Sequence, residues 1–464
     1  MNALKVILPR LFPITVAALL SFLPQPPLTA AERFVEPIKV HVESNFPTGI
    51  TFRVDTRQPE EIDRITLRFQ VIGENLNRYD HFVNKKDSPI NLTHQIRTDT
   101  ADRFIPPGST IEYFIEIETV SGDLILSEPE QFILLDPRYE WQSISGSMAS
   151  IYFYGKTFES GKRILEDAEK TIRSIGDLLQ VDSSEHLAIT VYDKFSHMKE
   201  ALPPRSSIQE TQLIVEGVFF RGPNVILILG GNRDASVVTS HETVHFLVDQ
   251  ALGPMTSTVP AWLNEGLAEF ASTEFNPSLG ISLQDAIVED QLLPLTSLNS
   301  PPGDPQQVIL FYQESRSVVD FMLTEYGTQA FQTLFAGLKR GQLIDEALTQ
   351  AYGLDRIALE NQWRASVGAH PLSFSDRPTS VPTPAPWPSI TPFGTESLAS
   401  KEFQQSSITD PEQNLSAGHS CNRGKGSTEL TSILLLTIIF RNKPCHTNHT
   451  RQFSELEKGS NFFQ

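Results

Sequence analysis

The feature that most limits what this chain can fold into is a change of hydrophobic period near residue 136 of its 464. Before that point, Ile38–Glu43, Ile50–Asp55, Ile65–Val71 and Ile111–Glu118 alternate apolar with polar residues. Period two, enriched in β-branched and aromatic residues, means strands with one buried and one wet face. Turn signals separate the runs at Phe46–Gly49, Pro106–Ser109 and Ser121–Asp123. Several short strands over about 100 residues predict an antiparallel sandwich of immunoglobulin or fibronectin type.

After a joint at Asp136–Trp141 the period becomes helical. Ile164, Leu165, Ala168, Ile172, Ile175 and Leu179 recur at the spacing of a long amphipathic helix over Phe158–Leu179. Two short apolar strands are expected at His186–Tyr192 and Val225–Leu229, and helical patterns dominate from Ala235 to Val367, with Gly327 and Gly353 as stops. Helices gathered after a small sheet predict an α+β arrangement rather than an alternating one. The length fits two or three domains. Their expected bounds are 1–31 for a leader, 32–138 for the β-sandwich, 139–370 for a mainly helical domain and 371–464 for a tail.

The leader is expected because Lys5 and Arg10 precede an apolar stretch from Leu11 to Leu23, and Thr29–Ala31 supplies small residues for cleavage. That layout predicts a secreted or extracytoplasmic protein. The tail is rich in proline, serine and threonine from Pro382 to Pro392, the composition of an extended or disordered segment. Its apolar run, Ser432–Phe440, is far short of the about 20 residues of a bilayer span, so a membrane tether is disfavoured. Both cysteines, Cys421 and Cys445, lie in this tail, so the body has neither a disulfide nor a thiol ligand. A net charge of −19 excludes nucleic acid as an electrostatic partner. Nothing in the sequence indicates an oligomeric state.

The chemistry concentrates in Ser240–His245. On a helix, His241 and His245 lie one turn apart on one face, so their imidazoles can converge on one ion. Glu242, beside that face, is placed to take a proton from an attacking water. Asp234 is a reasonable cap for this helix. Nineteen residues after His245, Val259–Phe270 predicts a second helix with Pro260 in its first turn. Glu265 on it can supply a third ligand, and two imidazoles with one carboxylate leave a tetrahedral zinc one open position. Glu269, at i+4 from Glu265, is expected to accept a hydrogen bond from a ligand imidazole and hold its tautomer.

His241-Glu-x-x-His245 followed by Trp262–Ala268 resembles the gluzincin metallopeptidases, which include thermolysin and the membrane alanyl aminopeptidases. The resemblance covers roughly Ile151 to Val367. It implies one Zn2+, Glu242 as general base and a peptide or protein substrate. The segment from Tyr312 to Leu323 is similar to the aminopeptidase segment that begins with an oxyanion-stabilising tyrosine, which implies that role for Tyr312. The region Glu216–Gly222 departs from the Gly-x-Met-Glu-Asn pattern with which those aminopeptidases capture a free amine. An endopeptidase is therefore favoured. Val218–Phe220 is either an edge strand that pairs with extended substrate or ordinary core.

Two other readings stay open on sequence alone. One is an extracytoplasmic binding or adhesion protein that uses the β-sandwich beside a vestigial peptidase domain. The other is a zinc hydrolase of non-peptide bonds. The intact Glu242 weighs against the vestigial reading.

Overall fold

The computed structural model describes residues 39–55, 62–82, 91–155, 158–181, 185–203, 216–230, 235–272 and 277–372. The expected leader, the cap at Asp234 and the tail with both cysteines lie outside the described residues.

The alternating runs form two antiparallel N-terminal sheets. Strands β1 (Lys39–Ser44), β2 (Gly49–Asp55) and β5 (Asn91–Arg97) lie in the order β1-β2-β5. The second sheet has the order β4-β3-β6-β7, from β3 (Ile62–Val71), β4 (Asn77–Phe82), β6 (Thr110–Thr119) and β7 (Leu124–Leu126). β8 (Glu130–Ile133) pairs with β6 over Thr110–Tyr113, on the same edge as β7. Register follows the buried face: Ile65 opposes Ile117, Leu67 opposes Ile115 and Phe69 opposes Tyr113. A slip of one residue would turn every one of these to solvent. Phe52 of β2 meets Tyr113 of β6 edge-on at 5.3 Å, and the two sheets share one apolar core.

A third sheet belongs to the C-terminal part. Its order is β12-β13-β11-β10-β9, from β9 (Gln142–Ser145), β10 (Ala149–Phe153), β11 (Leu187–Tyr192), β12 (Gly217–Phe220) and β13 (Val225–Leu229). β10, β11 and β13 run parallel, and the two outer strands run antiparallel to them. Helix α1 (Phe158–Leu179) is the crossover from β10 to β11. This unit alternates, which the pattern does not predict. Four of the five β10 residues are buried, so the strand shows no wet face and no period.

Beyond α2 (Phe195–Glu200), the helices are α3 (Ala235–Leu252), α4 (Ala261–Ala271), α5 (Pro277–Val288), α6 (Pro305–Lys339), α7 (Ile344–Tyr352) and α8 (Arg356–Ser366). The backbone breaks within α6 at Gly327, where φ is 77°, a conformation open to glycine. Among the described residues no helix is long and apolar enough to cross a membrane.

α1 and α3 cover one face of the third sheet. The other face meets the N-terminal sheets through a second core that contains Phe46, Phe104, Tyr154, Tyr192 and Phe220. The joint at Asp136–Trp141 is part of that contact. Asp136 is fully buried, takes a fork of hydrogen bonds from Arg138, and its carbonyl accepts from Trp141 Nε1 at 2.6 Å.

Candidate metal centre

α3 runs through the interior, buried on nearly every side from Val238 to Asp249. Burial all round is unusual for a helix with Ser240, His241, Glu242, Thr243 and His245 in sequence, because buried polar groups cost free energy unless partnered. α4 crosses it, and the two helices bring His241, His245 and Glu265 to one point, with ligand atoms all within 4.8 Å of one another. His241 and Glu265 are fully buried and His245 nearly so.

Glu265 Oε2 stands 3.2 Å from His241 Nε2 and 3.7 Å from His245 Nε2. A tetrahedral zinc with bonds of about 2.0–2.1 Å sets its ligand atoms roughly 3.3 Å apart. The observed separations bracket that edge. His245 Nε2 and both Glu265 oxygens are buried without a hydrogen bond of proper geometry, as is His241 Nε2. Lone pairs orphaned around a shared point fit a cation.

The opposite ring nitrogens each face an oxygen. His241 Nδ1 lies 3.1 Å from Glu269 Oε1, and His245 Nδ1 lies 3.2 Å from Asn264 Oδ1. In the tautomer that places each N–H toward these oxygens, both Nε2 atoms are left to ligate. Sequence reasoning expected Glu269 and missed Asn264. It adjoins Glu265 in the chain, but only the crossing of α3 and α4 shows that His245 leans toward it.

Two glycines let the neighbouring elements pack closely around these two helices. A Cβ on Gly217 of β12 would stand 2.9 Å from Glu242 Cγ and 2.3 Å from Val238 Cγ1, so the glycine leaves room for that carboxylate. On α4, a Cβ at Gly266 would come within 2.3 Å of Ser315 O on α6. α4 begins at Ala261 with Pro260 just before it, one residue short of the expected first-turn position. Its first N–H groups are met by the neighbouring segment: Ala261 N donates to Asn299 O and Trp262 N to Leu298 O.

Charge in this pocket is strongly perturbed. Burial pushes the Glu242 carboxyl up to about 8; Glu265 adds to the rise, while His241 and the Phe219 N–H oppose it. Burial alone would lower His241, but the carboxylates of Glu265 and Glu269 outweigh it and carry the ring to about 10. His245 moves down, chiefly through burial. Three carboxylates around two imidazoles make a site that favours a cation, whether a proton or a metal. Tyr312 on α6 closes the group, its ring centroid 6.3 Å from that of His241. Burial, then the charges of Glu265, Glu269 and Glu242, push its phenol well above the ordinary value, so it stays protonated.

Every site residue singled out in the sequence thus lies in or against one buried cluster. Residues 168–369, which contain this cluster, match the family model of the Peptidase MA superfamily. No curated protein matches the chain. Among solved structures, a chain titled "Myokine structure" is 13% identical with a TM-score of 0.18, covering 22% of this chain and 100% of that one. A polysaccharide deacetylase from Bacillus cereus is 8% identical with a TM-score of 0.19, covering 35% of this chain and 53% of the deacetylase, about half its length. Overlaps that slight say nothing of fold or chemistry. The family match supports a gluzincin-like peptidase of the Peptidase MA superfamily over residues 168–369, a metallopeptidase-like hydrolase domain with a His241/His245/Glu265 cluster that could hold its metal.

Proposed function

We propose that the chain is an exported, zinc-dependent endopeptidase whose ion is held by His241, His245 and Glu265. The observation that carries this reading is the convergence of three buried donors, two imidazoles and a carboxylate, with a second carboxylate, Glu242, on the residue next to the first. When bound, zinc would supply Lewis acidity to an attacking water and to the scissile carbonyl.

The protein's own residues do the rest. Glu242 takes the proton of the attacking water and returns it to the leaving amine. Burial raises the basicity of this carboxyl, and a neighbouring divalent cation would lower it again. Tyr312, protonated, donates its hydroxyl to the oxyanion. Glu269 and Asn264 hold the two imidazoles in the ligating tautomer.

A peptide substrate is favoured because β12, beside Glu242, is the outermost strand of its sheet among the described residues, and an extended chain can lie along such an edge. Export rests on the charged and apolar pattern of the first 31 residues. The N-terminal sheets read as an immunoglobulin- or fibronectin-like sandwich.

The test is metal analysis and a mixed-peptide cleavage profile of the full chain beside its Glu242→Gln form. The variant should keep its zinc and lose roughly 100- to 10,000-fold in hydrolysis. Full turnover by Glu242→Gln would remove Glu242 from the mechanism.

A further inference from the structure

The hairpin of β12 and β13 makes contacts that the chemistry above does not use. Arg221 follows β12 directly and reaches the far end of α3. Its Nε lies 2.5 Å from Asp249 Oδ1, and its Nη2 donates to Gly253 O. Asp249 also accepts from Thr256 Oγ1 at 3.1 Å. Asp249 stands one turn beyond His245, which stands one turn beyond His241. The guanidinium therefore grips α3 on the stripe that carries the two imidazoles. Gly253 O opens the 3-10 turn that follows α3 and also accepts from Thr256 Oγ1 at 2.8 Å, so the guanidinium joins a small polar cluster at the exit of the helix.

The other side of the hairpin turn rests on the N-terminal sheets. A Cβ on Gly73, in the turn after β3, would stand 2.0 Å from Gly222 O. The Phe104 ring packs 5.5 Å from that of Phe220. β12 is thus held at its exit from two directions.

What is held matters to the site. β12 has four residues, and pairing with β13 fixes its register in the sheet but not its spacing from α3. Gly217 of the same strand lies against Glu242, and the Phe219 N–H acts on that carboxyl. A shift of β12 relative to α3 moves Gly217 and the Phe219 N–H against the base.

We infer that Arg221 is a positioning residue for substrate: by tying β12 to the end of α3, it sets the spacing between the edge strand and Glu242 that an extended peptide must fit. The inference rests on the peptidase reading above.

Arg221→Met in the full chain tests it, with Arg221→Lys as the conservative control. The Met form should raise KM for a peptide substrate about tenfold with kcat nearly unchanged and zinc content intact. Amide hydrogen exchange at residues 217–220 should quicken about tenfold while α3 stays protected. The Lys form, able to reach Asp249 but not to fork onto Gly253 O, should recover part of both changes. Unchanged exchange at 217–220 in the Met form overturns the inference, as does a loss of kcat and zinc together with KM unmoved. If exchange quickens in Arg221→Met but the wild type cleaves no peptide, the tie between β12 and α3 is upheld and the peptidase reading falls instead.

Discussion

Two clusters of buried charge lie among the C-terminal helices, and they differ in how their polar atoms are satisfied. In the first, His241, His245 and Glu265 turn their lone pairs toward one another without hydrogen bonds. In the second, Glu314 of α6 faces Glu360 and Arg364 of α8, all three buried, and each finds protein partners. Both Glu314 oxygens accept from Leu293 N, at 3.0 and 3.2 Å. Glu360 accepts from Leu295 N at 2.9 Å and from Arg364 Nε at 2.8 Å, and Arg364 Nη2 donates to Leu292 O at 3.3 Å.

The second cluster thus fastens the segment from Leu292 to Leu295. That segment continues to Leu298 and Asn299, whose carbonyls meet the first N–H groups of α4. Charge with its partners inside the protein holds structure in place, here the start of the helix that bears Glu265. Charge that converges without partners waits for something from outside. Burial alone does not separate the two cases; hydrogen-bond completion does.

That contrast can be broken experimentally. The largest effect is expected from His241→Ala, which should weaken zinc binding by more than about 100-fold, since loss of a residue that merely orients a ligand costs about 10- to 100-fold. Zinc content after dialysis measures it, and a variant still fully loaded would make the first cluster no different from the second. Arg364→Met comes next. It strands the Glu360 carboxylate, and breaking a buried pair costs about 3–5 kcal/mol. Denaturant unfolding should show that loss while zinc affinity changes little; the reverse outcome would mean that the second cluster is part of the site.

Glu269→Ala sharpens the boundary between ligands and their supports. It frees His241 Nδ1 and should lower zinc affinity about 10- to 100-fold, less than His241→Ala in the same titration. The most gradual effect concerns pH. Burial, the dominant cause, pushes the Glu314 carboxyl from 4.5 up to about 8, opposed by the Leu293 N–H and Arg364. A carboxyl raised on folding holds its extra proton in the native state, so its contribution is fully present below 4.5 and is lost as pH rises through about 8. Across that window the wild type should lose stability with a slope of up to ~1.4 kcal/mol per pH unit, and Glu314→Gln should flatten it. Parallel stability–pH curves for the two proteins would show that Glu314 ionises normally.

The sequence was most legible where geometry is local. The i, i+4 spacing of His241 and His245, and again of Glu265 and Glu269, depends only on the pitch of a helix, so these four positions needed no fold to be picked out. The N-terminal strands were legible because one face is wet; β6 buries every second residue from Ile111 to Ile117. α1 likewise shows its stripe, since its outer face is solvated. α3 has no such face, and its period is faint even though its motif is plain. β10 was illegible for the same reason.

By itself, then, the chain's residue order determined the strand and helix periods on half-solvated elements and the residue types that could serve a metal, because each depends on neighbours within a turn or two. Tertiary structure alone decided that α3 and α4 cross so that Glu265 meets both imidazoles, that Asn264 rather than a carboxylate braces His245, and that Gly217 and Arg221 set β12 against Glu242. Those are contacts between residues 19 to 28 or more positions apart, and such distances are set by packing and by the completion of buried hydrogen bonds, not by local spacing.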